Sequence, residues 1–529
     1  MRRGATLAAV ALIASAPLAA QEAADPNAPL SAIDWLSQSV EQPETLAVAP
    51  RVTGTEATRG SRPTRVPPRD EAPVSGSAAP PTVTVQPLGV PAPRAVGLLA
   101  PETTGLPANL WSGSDADLLG TLLMAQDIDT LPALQELVIT LAIAKADPAL
   151  GDPSNLTLLR ARVDILLKTG ALEQALALLS AAPTEDAALF RRYFDVALLT
   201  GDENDACRAL KSTPDVAPTP SARVFCLARL GDWSAAALTL NTGQALGDID
   251  AETGALLSRF LDPELFEGEA ALTPPAPVTP LAFRMFEAIG EPLTTRNLPR
   301  AFSHADLRPN VGWKAQLEAA ERLARSTAIS PNALVGLYSD RVPSASGGVF
   351  ERAKAVISLQ NALAEGDADR IGAAASDLWD QATPVGVAVP LAQHFAPALE
   401  AAEVSADHHD VLFKWLLLSD RYDTAALRPD LAATDPFLAA LATGDPSGAL
   451  PLKPAYPVLQ EAFRADASPD LTDLAASGKP GEAILRTLAT VQQGLEGDRI
   501  ALREGLATLR ALGLEDVARR SALQYAILP

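Results

Sequence analysis

Aromatic residues make up only 5% of the 529-residue chain, and long alternating runs of valine, isoleucine, threonine and tyrosine are missing. Those are the side chains that suit a pleated strand, so a sheet-built fold is not expected. Basic residues are also short, with 42 lysines and arginines against 64 acidic residues. A nucleic-acid partner is therefore not expected, because displacing phosphate counterions needs a basic surface. The same deficit disfavours broad adhesion to anionic lipid. Beyond the first twenty residues no apolar run has the length of about 20 that a membrane helix needs. Four histidines are present, His304, His394, His408 and His409, and only His408-His409-Asp410 clusters. Neighbours on a helix point about 100° apart, and no partner at i+4 completes a ligand set, so no metal site is assigned. A nucleophile elbow, a phosphate loop and a dinucleotide fingerprint are missing too, and no catalytic or cofactor-binding residue is assigned. Ser346-Gly347-Gly348 is the best candidate for an anion-holding loop ahead of a helix, though a plain connector is the commoner meaning of such a run.

Alanine and leucine dominate what remains, and both lose little on entering a helix. The expected class is all-α. Residues 1–20 read as an export signal: Arg2 and Arg3, an apolar run from Ala5 to Leu18, then small residues ending at Ala20. The expected location is the periplasm, with no integral membrane segment after signal cleavage. Within residues 21–40, Leu30, Ile33, Leu36 and Val40 fall near helical spacing beside Trp35. A helix this short is marginal alone in water, so it has to dock, either on its own body or on a partner. Residues 41–100 carry eleven prolines between 43 and 93 and read as a disordered linker. Six arginines against Glu56, Asp70 and Glu71 make residues 48–100 net positive, so the acidity resides in the body that follows.

Cys207 and Cys226 are the only cysteines. In an oxidising compartment an even pair reads as one disulfide, which would close an 18-residue loop and stabilise by about 3 kcal/mol in the chain-entropy model. Two buried thiols on neighbouring helices are the alternative.

A skeleton recurs through the body. Gly170, Gly201 and Gly231 each stand five residues before an alanine (Ala175, Ala206, Ala236), with Leu179, Leu210 and Leu240 four further on. It returns as Gly478 with Ala483 and as Gly513 with Ala518. Glycine suits the left-handed residue that ends a helix. Asp202 and Asp232 follow the glycine and can cap the next helix. One turn later the helices cross, and a small alanine permits close approach. The glycines recur after 31 and then 30 residues, a period typical of helical-hairpin arrays.

This skeleton resembles the tetratricopeptide-type repeat, over parts of 154–246 and 410–529. The family's tryptophan–leucine–glycine and tyrosine positions are met inconsistently here, and its closing proline is often missing. The resemblance implies an α-solenoid of antiparallel helix pairs, with a helical lobe at 101–270, a Pro-rich irregular joint at 271–310 and a second lobe at 311–529. It also implies a non-catalytic scaffold holding a protein or peptide partner of the cell envelope on a concave surface. The alternative is an accessory or enzyme of peptidoglycan metabolism: soluble lytic transglycosylases are similar in having a periplasmic helical superhelix, but their catalytic glutamate segment has no counterpart here.

Overall fold

The recurring glycines stop helices in the computed structural model, which describes residues 95–529 apart from 153, 155 and 183–185. The signal segment, the motif of Leu30, Ile33, Trp35, Leu36 and Val40, and the linker as far as residue 94 lie outside the described residues. Gly170 and Gly201 follow helices Thr157–Thr169 and Ala187–Thr200 with φ of 85° and 95°. A side chain in that left-handed region is strained. Gly231, Gly478 and Gly513 take the same conformation just beyond helices Pro220–Arg229, Pro469–Ala476 and Arg499–Ala511. Asp232 then caps helix Trp233–Leu246 by accepting from the Ala235 N–H at 3.1 Å. Asp202 does not cap. Its carboxylate accepts from the Thr200 hydroxyl at 2.8 Å, and no side chain caps helix Glu203–Ser212. A hydroxyl two residues back has captured the carboxylate that the backbone N–H groups lack.

Ala175, Ala206, Ala236, Ala483 and Ala518 are fully buried, and Leu179, Leu210 and Leu240 are buried with them. These positions form the seams along which helices pair. Among the described residues the protein has 26 α-helices and no strand, only isolated bridges from Leu99 to Ala144 and from Asp115 to Leu150. Consecutive helices pack as pairs, most extensively Pro480–Leu495 with Arg499–Ala511, Pro220–Arg229 with Trp233–Leu246, and Val349–Glu365 with Ala368–Ala382. The longest spans 17 residues, and no helix among the described residues is long and apolar enough to cross a membrane.

In a nearest-neighbour stack the two end seams stay open. Here the first helices cover the last. Helix Ala116–Met124 packs on both Thr157–Thr169 and Pro480–Leu495, and helix Pro132–Ile143 packs on Glu515–Ile527. Polar ties hold this contact: the Ser114 hydroxyl donates to Glu482 at 2.8 Å, the Ala133 N–H to the Gln524 side-chain oxygen at 3.0 Å, and the Gly481 N–H to the Leu110 carbonyl at 3.0 Å.

Residues 271–310 do more than join. Thr279 caps a helix at the Ala282 N–H, with Pro280 in the first turn, where a missing N–H costs nothing. That helix, Pro280–Ala288, buries Leu281, Ala282, Phe283, Met285 and Phe286, and Phe283 meets Phe302 edge-on at 5.4 Å. Proline-rich sequence reads as irregular, but a Thr-Pro pair also starts helices. Cys207 and Cys226 stand at disulfide distance, Cα atoms 4.9 Å apart, and both are buried.

The seam reading makes a matched prediction on one helix. Replacing buried Ala236 with leucine should cost about 1–3 kcal/mol by overpacking. Replacing its exposed neighbour Ala237 should change stability by less than about 0.5 kcal/mol. Urea unfolding of the two variants measures the difference.

Candidate functional site

Three helices turn their N-terminal ends toward one cleft of about 740 Å³: Pro220–Arg229, Ala251–Leu261 and Pro280–Ala288. Each end is already capped, by Thr219 at the Ala222 N–H, Asp250 at the Thr253 N–H and Thr279 at the Ala282 N–H. The floor is apolar, built from Leu256, Leu281, Ala282, Met285 and Phe286, all buried. One wall is acidic, carrying Asp248, Asp250 and Glu252, and no lysine or arginine lines the cleft. A helix end contributes about half a positive charge, so three ends only partly offset three carboxylates and the rim stays negative. The Asp250 carboxyl is held below its usual range by hydrogen bonds from the Thr253 backbone and hydroxyl, so it is firmly ionised. The remaining wall is the strap Leu272–Thr279, which includes Pro275 and Pro277; between Thr273 and Val278 it makes no backbone–backbone hydrogen bond among the described residues.

A second cleft, of about 810 Å³, has Leu179, Leu189, Phe190, Tyr193 and Val216 among its lining residues, with Ser212 and Asp215 beside them. The connector Thr213–Ser221 contributes to both clefts and lies inside the loop that Cys207 and Cys226 close. The disulfide pair joins the two helices that this connector links, Glu203–Ser212 and Pro220–Arg229.

The other sequence candidates fall elsewhere. Gly347 and Gly348 have positive φ ahead of helix Val349–Glu365, but the Gly347 N–H donates to the Glu351 carboxylate at 3.0 Å. An internal carboxylate fills the place an anion would take. His408 meets the Ser376 hydroxyl at 3.2 Å, whereas His409 donates to the Val404 carbonyl at 3.2 Å, so the two imidazoles serve different elements. His394 is bonded to Asn332. His304 is buried and donates to the Gly170 carbonyl at 2.7 Å, and burial holds it below its ordinary value and therefore neutral at pH 7. Among the described residues no group of three or more His, Cys, Asp or Glu is placed to hold a metal.

The cleft floor was not expected from sequence, because Met285 and Phe286 fall in the Pro-rich joint. The signal available was Thr279-Pro280 followed by an apolar run. No protein-family model, curated protein or solved structure matches the chain.

One carboxylate in this region makes a pH prediction. On helix Ala187–Thr200, burial pushes the Asp195 carboxyl up to about 6 from an ordinary 3.8, against the pull of Arg191 and Arg192. The native state keeps a proton that the unfolded chain releases, so stability falls as pH rises from about 4 to 6 and stays lower above. Asp195→Asn should raise the melting temperature at about pH 7.5, with a gain that shrinks towards about pH 4. Thermal melts across that range read it directly.

Proposed function

We propose that this chain is a non-catalytic interaction scaffold of tetratricopeptide-like design, exported to the periplasm, that holds a protein or peptide segment on its helical surface. The acid-rimmed apolar cleft is the observation that supports this most. Its floor suits one large apolar side chain, and its rim suits a neighbouring lysine or arginine. Among the described residues nothing pairs with the backbone of the strap from Thr273 to Val278, whose carbonyls suit an extended partner backbone. The preferred occupant is therefore an extended segment carrying an apolar residue next to a basic one. The Cys207–Cys226 pair and the signal-like start agree with an oxidising compartment.

A photocrosslinking residue at Ala255, on the cleft wall, tests this in the full exported chain. The expected result is a discrete protein adduct that weakens roughly ten-fold when Asp248→Lys and Glu252→Lys are combined, and that weakens further in salt. An adduct indifferent to those charges contradicts the proposal, as does none at all. Release of fragments from purified peptidoglycan would favour the cell-wall reading instead.

A further inference from the structure

The acid-rimmed cleft has a neighbour to which the scaffold reading gives no role. The second cleft, of about 810 Å³, is lined by buried Leu179, Leu189, Phe190 and Val216, with Tyr193 and Ala209 part-exposed among them. Phe190 and Tyr193 stand 5.9 Å apart with their planes tilted, a surface suited to a third ring or a branched chain. The two clefts meet along one short connector. Thr213, Asp215 and Val216 line the second, and Thr219, Pro220 and Ser221 line the first. Val216 and Thr219 are three residues apart in sequence, so these two walls stand no more than about 11 Å from each other. Ala217 and Pro218, between them, are both part-exposed, so solvent reaches the ridge that separates the clefts.

The clefts also agree in charge. Among the described residues no lysine or arginine lines either one, while Asp215 lines the second and Asp248, Asp250 and Glu252 line the first. Arg208 and Arg223, on the two helices that the connector joins, are engaged by Asp205 and by the Pro214 carbonyl. A segment with an apolar residue in the first cleft and a basic one beside it therefore runs within reach of Asp215 and of the second cleft. We propose that the two clefts form one bipartite site for a single extended segment, with two large apolar residues and a lysine or arginine between them. This rests on the scaffold reading of the first cleft and adds a second anchor to it. Anchors seated beyond the two walls lie about 10–20 Å apart, or roughly three to six residues of extended chain at about 3.3 Å each. Joining two weak contacts on one chain raises affinity, because the second contact forms intramolecularly.

Labelled synthetic peptides, titrated into the full chain by fluorescence anisotropy, test the spacing. One series carries a single phenylalanine beside a lysine. The other carries two phenylalanines, separated by a lysine and up to about ten serines. Two-anchor peptides should bind at least roughly ten-fold tighter than single-anchor ones, with the optimum at a separation of about three to six residues. Ala209→Trp, at a part-exposed position on the wall of the second cleft, should remove that gain and change single-anchor binding by less than about two-fold. Asp215→Lys, at an exposed position, should cut the gain roughly three-fold. A gain that is missing at every spacing, or that survives both substitutions, overturns the bipartite site. The scaffold reading is scored separately, since it requires only that single-anchor peptides bind and weaken roughly ten-fold when Asp248→Lys and Glu252→Lys are combined. Failure of every peptide to bind overturns both.

Discussion

Gly113 lies against the carbonyl of Gly478, and a Cβ at position 113 would overlap that oxygen. Three residues on, a Cβ at Gly481 would sit 2.7 Å from the ring of Trp111. Glycine at these places lets the segment around Leu110–Ser114 come down on the start of helix Pro480–Leu495, with Trp111 almost wholly buried. The closure matters because an array of helix pairs presents an apolar seam at each end, and an uncovered seam is an exposed hydrophobic patch. Here each end is the other's cover. The contact costs 368 residues of sequence separation between Ser114 and Glu482, yet loop-closure entropy grows only slowly with length, so burying two seams outweighs it.

Within an interior of alanine and leucine, a few charged groups are placed where chain segments meet. Glu321 accepts from Arg352 at 2.7 and 2.8 Å and from the Tyr338 hydroxyl at 2.7 Å, joining three successive helices. Arg162, fully buried, has no carboxylate partner among the described residues and donates to the carbonyls of Val96, Ala142 and Ala144. Burial lowers its guanidinium to about 10, which still leaves it charged at pH 7. Such groups are weak contributors to net stability, but removing one partner strands the other in a dry interior.

Much of the local architecture was legible in the sequence for a physical reason. Gly170 to Ala175 is a local pattern: one residue ends a helix and the next helix crosses its partner a turn later. The αL conformation at Gly231 or Gly513 depends on nothing distant. The meeting of Gly113 with Gly478 was not legible, because Gly113 carries no periodic signal and its reason lies hundreds of residues away. Gly478 was read only as a turn, whereas it is also the surface on which the chain closes. The cleft was hidden for a related reason. Its floor comes from helix Pro280–Ala288, inside a segment whose prolines read as a break, and its acidic wall comes from another helix start.

Native-state hydrogen exchange on Gly113→Val probes the closure most directly. If the first helices cover the last, amides in Ala116–Met124, Pro132–Ile143, Pro480–Leu495 and Glu515–Ile527 lose protection together, although the substitution touches only the start of that set. Loss of protection confined to residues around 110–115, with helices Pro480–Leu495 and Glu515–Ile527 unchanged, would contradict the account.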